Sequence, residues 1–263
     1  DLFGELFTRD HVWSASRLES YRTCPYFFFV AAVLRLEPRE RPAEGLDARQ
    51  LGNIYHHIFE QLYRTVERGA KPEELLAAMP DVATPILDEA PRVEQFRATA
   101  WWQQTREEIL SHVERSIREL EATGGFKFYA AEKVFGLYGA PPLVVTGDDG
   151  DSFNLRGFID RVDVAGEDDD DAAVPRRVRI IDYKTAGPSG YRNSAVAQGK
   201  KLQLPLYALA AEEALGLGEV IDGFYWHVRQ AEPSSFTLSG YRSDRGAGPG
   251  AAHRDAAALG EPR

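Results

Sequence analysis

The sequence has a single cysteine, Cys24, and so cannot form an internal disulfide bond. One thiol in 263 residues is typical of a reducing compartment, and we expect a cytoplasmic protein. The longest apolar run, residues 26–34, is much shorter than the roughly 20 residues that cross a membrane. We expect no signal peptide and no ATPase motor, since no G-x-x-x-x-G-K-[ST] loop occurs. These absences argue against a disulfide-stabilised secreted protein, a helical membrane protein and a nucleotide-driven motor.

The charge balance is unfavourable for the commonest kind of nucleic-acid-binding protein. The net charge is −10, whereas a basic face is the usual footprint of a protein that binds DNA or RNA. Five of the acids stand together at 167–171, a run that predicts a solvated loop between two strands. A metal-dependent active site also needs acids of its own. The charge therefore weakens a nucleic-acid hypothesis without removing it.

The chain changes character near residue 125, where helical periodicity gives way to short alternating runs between turns. We predict a lead-in over 1–13, followed by a helix that starts near Ser16 with a Ser16–Glu19 capping box. A buried helix is predicted over 26–36, and short helices broken by Pro80 and Pro85 are predicted within 72–90. Longer helices are predicted over 48–68, 92–122 and 194–217. We predict strands over 126–138, 143–146, 152–165, 177–183, 223–229 and 235–239. The first residue is not Met, so we expect a piece of a longer polypeptide.

These elements predict one α/β domain over 1–263. It has a mainly helical part (1–125), a sheet core (126–240) and a disordered tail (241–263).

Two predicted strands carry the residues that suggest chemistry. In the second strand Asp182 and Lys184 lie two residues apart and therefore share a face. In the first, alternation predicts that Phe158, Asp160 and Val162 share a face. Two acids and a lysine that converge suit a hard divalent cation with an ammonium beside it. An isolated D-x-K at a strand end is more often a surface salt bridge.

His56 lies at the edge of the apolar stripe of the predicted helix 48–68, one turn after Gly52. A glycine there leaves room for a close approach. The alternative is a partly exposed structural histidine. His57 points away from the stripe. In the helix predicted over 194–217, Gln203 and Tyr207 share a face, and Pro205 between them predicts either a kink or a first turn.

Six motifs in order resemble the PD-(D/E)XK nuclease superfamily, in its RecB/AddB-like branch. They span residues 14–228 and read S-x-S-R-L-E-x-Y-x-x-C-P-Y-F-F, G-N-I-Y-H, A-E-K-V-F, G-F-I-D-R-V-D, I-I-D-Y-K-T and Q-L-P-L-Y. The resemblance implies a restriction-endonuclease-like core, which is a mixed central sheet flanked by helices. It also implies a metal-dependent deoxyribonuclease of DNA repair and recombination.

The resemblance assigns roles by position. Asp160 and Asp182 would hold Mg²⁺ or Mn²⁺, with His56 as a further ligand and the carbonyl of Tyr183 completing the shell. Lys184 would orient the hydrolytic water. Gln203 and Tyr207 would contact the DNA strand. Glu132 is a weaker match to a family acid.

The resemblance also implies partners and one departure. Members of this branch are often tethered to a helicase, so a helicase domain or subunit and DNA are the expected partners. Many carry four cysteines for a 4Fe-4S cluster, of which Cys24 matches the first; with no other cysteine, this chain cannot make a four-thiolate site. We expect Cys24 to be a core residue.

Two alternatives remain at this point. One is an inactive nuclease fold that binds DNA ends or a helicase partner, and the other is a metal hydrolase with a different substrate. The sequence does not distinguish exonuclease from endonuclease, nor single-strand from double-strand preference.

Overall fold

A mixed seven-stranded sheet is the centre of the fold. The computed structural model describes residues 4, 6–8, 10–36, 46–67, 69–166 and 176–244. The strands are β1 (Val12–Ser14), β2 (Phe126–Phe135), β3 (Leu143–Thr146), β4 (Ser152–Ala165), β5 (Arg177–Lys184), β6 (Glu219–His227) and β7 (Glu232–Thr237). This confirms the predicted mixed sheet flanked by helices. The strand β1 lies at the end of the expected lead-in, where the sequence does not predict one.

The long strand β4 connects the parts of the sheet. Its first part, 152–156, pairs with β1 in parallel and with β3 in antiparallel orientation. Its second part pairs with β2 and β5, both antiparallel. Beyond β5, β6 is parallel and β7 antiparallel to its neighbour. The β4–β5 ladder begins at the pair Arg161↔Ile181, so the two strands are free to separate just before Arg161 on β4 and after Ile181 on β5.

The helices lie on both faces of the sheet. They are α1 (Ala15–Thr23), α2 (Pro25–Phe28), α3 (Ala48–Thr65), α4 (Pro72–Val93), α5 (Trp102–Ala122), α6 (Asn193–Ala197), α7 (Gln203–Leu209) and α8 (Leu238–Asp244). Single π-helical turns, Phe29–Val33 and Ala210–Ala214, continue α2 and α7. In the described part of the chain no helix combines the length and apolarity that a membrane crossing requires.

The helix α3 is placed by its own sequence and by the sheet. A capping box starts it, because Gln50 N–H donates to Asp47 Oδ1 at 2.7 Å and Asp47 N–H donates to Gln50 Oε1 at 2.8 Å. Its buried stripe packs with α4 and α5 onto one sheet face, in a core that includes Ile181 and Trp226. A second core lies under α7 on the other face and includes Val162 and Ile180.

The structure corrects two predicted helices on the α3 face. The segment 72–90 is not broken, because α4 runs through Pro80 and Pro85. Each internal proline costs a helix about 3 kcal/mol, and packing of the buried stripe of α4, which includes Leu75 and Leu87, outweighs that cost. The helix predicted over 92–122 begins only at Trp102.

The N-terminal helices also differ from the prediction. Of the buried helix predicted over 26–36, residues 26–33 form helical turns and residues 34–36 do not. Tyr26 and Phe27 are exposed, whereas Phe28 is buried and packs against Trp13. Cys24 is exposed too and caps α2. The Ser16–Glu19 capping box does not form; Ser14 is the N-cap of α1, and no side-chain cap hydrogen bond is made there.

Two predictions near the C-terminus are also changed. The segment 194–217 divides at Gly199, whose φ of +70° ends α6, and Pro205 lies in the first turn of α7. The helix α8 occupies 241–244 of the predicted disordered tail. The rest of that tail and the acidic run 167–171 lie outside the described residues.

A buried ion-pair network joins the α3 face to the sheet. Arg161 Nε donates to Asp163 Oδ1 at 2.6 Å, and its Nη2 donates to Glu121 Oε1 at 2.9 Å. Its Nη1 donates to the Tyr63 hydroxyl. Arg179 Nη2 donates to the other Asp163 oxygen at 2.7 Å. The network therefore ties β4 and β5 to α3 and α5, one residue along β4 from Asp160.

We expect Arg161→Met to destabilise the metal-free chain by about 3–5 kcal/mol, because it leaves buried acceptors without their donor. The matched control is Arg118→Met, which breaks an exposed pair with Glu114 and should cost less than about 0.5 kcal/mol. Urea unfolding of both variants measures the difference. A loss below about 1 kcal/mol for Arg161→Met would show that the network does not hold the layers together.

Candidate metal centre

Two buried acids meet where β4 and β5 separate. Asp160 stands one residue before the first pair of the β4–β5 ladder, and its Oδ2 accepts a hydrogen bond from the Tyr183 N–H at 2.8 Å. Asp182 lies beside Tyr183 in β5 and is 1% exposed. The separation of the strands therefore leaves room for side chains where a backbone ladder would otherwise continue.

The predicted alternation along β4 shifts at this point. Ile159 and Val162 both belong to the core under α7, although strict alternation would put them on opposite faces. Glu132 lies across from Asp160 on β2 and has a φ of +47°. The pairs on either side of it are Ala131↔Arg161 and Lys133↔Ile159. A positive φ is uncommon for a residue other than glycine, and here it accompanies the approach of two acids.

His56 reaches the acids from α3. Its Nδ1 lies 3.5 Å from Asp160 Oδ2. One ligand atom each from His56, Glu132 and Asp160 lie within 4.8 Å of one another, a group that could hold a metal ion. A Cβ at Gly52 would lie 3.9 Å from Thr185 Oγ1, just past the end of β5, which is an ordinary van der Waals distance. The approach of the helix therefore does not depend on the glycine, contrary to the expectation from the sequence.

Lys184 connects the acids to α7. Its ammonium forms an ion pair with Asp182 and donates to Gln203 Oε1 at 3.0 Å. Gln203 Nε2 in turn donates to the Tyr207 hydroxyl at 3.3 Å. One polar row therefore runs from Asp182 through Lys184 and Gln203 to Tyr207. It joins the face shared by the first two residues on β5 to the face shared by the last two on α7.

The site holds more acid than its ammonium neutralises. Burial raises the pKa of Asp182 to about 6; the Lys184 ammonium opposes the shift and the Asp160 carboxylate adds to it. Burial also raises the pKa of Glu132 to about 7, with Asp160 adding again. Burial would lower the pKa of Lys184, but Asp182 and Asp160 outweigh it and raise that pKa. Crowded acids therefore bind protons more readily than usual, and a cation would displace them.

The donor set fits a divalent metal. Asp182 Oδ1 is buried without a hydrogen-bond partner among the described residues, whereas Oδ2 pairs with the Lys184 ammonium. A carboxylate with an unpaired oxygen, next to an imidazole and two further acids, belongs to a set of ligands that hard or borderline divalent cations accept.

The structure places every predicted site residue at or beside this position except the ring of Tyr183. That ring stacks on Phe59 at 4.4 Å within the α3 core, and only its backbone faces the acids. His57 is exposed, as expected from its position off the stripe. Ligation by the Tyr183 carbonyl stays a prediction.

One supporting residue, Glu19, escapes the sequence analysis. Its Oε1 accepts the N–H groups of Leu202 and Gln203 at 2.6 and 3.1 Å, and Leu202 is 183 positions away in sequence. It thus caps α7 instead of α1 and fixes the backbone of the residue that holds Lys184. The available signal is the glutamate of the S-R-L-E motif, but its spacing from Ser16 favours a local capping box instead.

Comparison with known proteins gives consistent matches. The model of the PD-(D/E)XK nuclease superfamily matches residues 12–258. A subunit of the ATP-dependent helicase/deoxyribonuclease of Moorella thermoacetica is 31% identical over 228 residues, covering 81% of this chain and 19% of that protein. The subunit of the same name from Alkaliphilus metalliredigens is 27% identical over 245 residues, covering 84% and 20%. The chain thus spans about a fifth of the length of these curated relatives.

We expect Glu19→Ala to speed hydrogen exchange at the Leu202 and Gln203 amides by roughly 10-fold or more, since two charge-assisted hydrogen bonds are lost. Mn²⁺ affinity should not change, because Glu19 supports the Lys184 side of the site. The matched control is Glu212→Ala, which removes a similar bond to the Val220 N–H at 2.7 Å away from the site. Unchanged exchange at residues 202 and 203 in Glu19→Ala would refute the capping role.

Proposed function

The chain belongs to the PD-(D/E)XK nuclease superfamily, and from that premise we propose that it is a divalent-metal-dependent deoxyribonuclease. The observation that carries the proposal is that the group of His56, Glu132 and Asp160 lies beside the ion pair of Asp182 and Lys184. A resident Mg²⁺ or Mn²⁺ would be held by Asp160, Asp182 and His56, with Glu132 beside them. The relatives named as deoxyribonuclease subunits support DNA as the substrate.

Each residue then has a separate task in phosphodiester hydrolysis. A bound divalent cation supplies Lewis acidity toward a water and a phosphate oxygen. Lys184 holds a positive charge beside Asp182, where charge grows on the phosphate in the transition state. Gln203 keeps the Lys184 ammonium in place, and Tyr207 positions Gln203. Together Gln203 and Tyr207 offer polar groups to the DNA strand.

The relatives also suggest the setting in which the nuclease works. Their names couple a helicase with a deoxyribonuclease, and this chain matches about a fifth of each. We therefore assign residues 1–263 to one nuclease domain that acts with a helicase domain or subunit in the cytoplasm, during double-strand-break repair.

We expect Asp182→Ala and Lys184→Ala each to lower Mg²⁺-dependent cleavage of plasmid and linear DNA by about 100-fold or more. Circular dichroism checks that each variant keeps the fold. Asp182→Ala relieves repulsion between the acids, whereas Lys184→Ala removes their counter-charge. The controls are the exposed Asp151→Ala and Lys200→Ala, which should keep parental rates, and EDTA, which should stop cleavage. Parental cleavage by either site variant would remove the proposed site, and no cleavage by the parent would favour an inactive binding module.

We expect His56→Ala to weaken Mn²⁺ binding by roughly 10-fold or more and His57→Ala to leave it unchanged. In the parent, affinity should fall as the pH drops below about 7, because a protonated imidazole cannot ligate and the raised pKa values of Glu132 and Asp182 let protons compete. Calorimetric Mn²⁺ titration at two pH values measures both effects. Equal affinity of His56→Ala and the parent would make His56 a structural residue.

A further inference from the structure

An exposed aromatic pair lies beside the metal centre and has no part in the functions assigned above. The side chain of Phe158 is 37% exposed and that of Tyr138, in the turn after β2, is 88% exposed. Their ring centroids are 6.5 Å apart with an interplanar angle of 61°. Large apolar rings near water cost free energy unless something covers them, which makes their position informative.

The position follows from the pleat of β4. A Cβ added at Gly157 would lie 2.8 Å from the Tyr207 ring, and Ile159 belongs to the core under α7, so these residues face α7. Phe158 therefore faces away from α7, toward the side from which His56 approaches Asp160. Phe158 and Asp160 are two residues apart, or about 7 Å along the strand.

A basic residue extends the same row. Arg156, two residues before Phe158, is half-buried, and alternation places it on the same side of β4. The row thus runs from a guanidinium through an aromatic ring to a metal-ligating carboxylate. Successive residues of this row are about 7 Å apart along β4, which is comparable with the distance between neighbouring nucleotides of an extended DNA strand.

We propose that Phe158 and Tyr138 form a stacking subsite for an unpaired nucleobase next to the phosphate that the metal centre cleaves. The proposal rests on the nuclease function and assigns the recognition of one base to this aromatic pair. Bases within a duplex cover each other's faces and offer none to a protein ring, whereas unpaired bases stack on aromatic side chains. Arg156 would meet a phosphate of the same strand.

The test measures binding without cleavage. Lys184→Ala, as the background, binds a fluorescein-labelled thymine oligonucleotide, and anisotropy gives the Kd. Adding Phe158→Ala or Tyr138→Ala should weaken binding roughly 5- to 100-fold, and Phe158→Trp should restore it. An oligonucleotide of abasic sites should bind with the same affinity to all of these chains. Trp101→Ala is the control, because Trp101 is 72% exposed but lies at the start of α5 on the helical layer.

The outcomes separate this inference from the proposed function. If Phe158→Ala binds the thymine strand as tightly as its background, while the parent chain cleaves DNA, the subsite is refuted and the nuclease stands. If the parent does not cleave but the aromatic variants lose base-dependent binding, the nuclease proposal fails, and the aromatic pair is a base-binding site without the role in cleavage proposed here. Equal losses on thymine and abasic strands would refute stacking and point to a packing role.

Discussion

The crowding of acids at one buried point is the constraint on which the rest of the structure depends. Asp160 and Asp182 lie where β4 and β5 part, with Glu132 across the β2–β4 pair and one ammonium, Lys184, to offset them. Buried like charges repel, and burial removes the water that would otherwise stabilise them. Such a cluster stays in place only if contacts with the surrounding fold hold its members together, and a bound cation would offset its negative charge.

The supports come from both faces of the sheet. From one face, α3 brings His56, and the contact between Tyr63 and Arg161 holds that helix to β4. From the other, α7 brings Gln203 to the Lys184 ammonium, and Glu19 caps the start of α7. The acids are thus positioned by helices that are far apart in sequence.

Local patterns predicted local features well. The bounds of β3 and β4 and the shared face of Asp182 and Lys184 follow from alternation and turn residues alone. What failed depended on tertiary contacts. Packing lets α4 continue through its prolines, and the partner of Glu19 lies 183 residues away. The irregularity at Glu132, whose φ is +47°, breaks alternation at the candidate metal centre itself.

The free energy of unfolding against pH, in EDTA and in Mg²⁺, tests the central claim most directly. Because the folded-state pKa of Asp182 is raised, its contribution to stability is present at low pH and is lost as the pH rises from about 4 to about 6. The account predicts that Asp182→Asn is more stable than the parent in EDTA at pH 7, that the difference is smaller at pH 4, and that Mg²⁺ stabilises only the parent. Equal pH profiles in EDTA, or equal stabilisation of both chains by Mg²⁺, would contradict it.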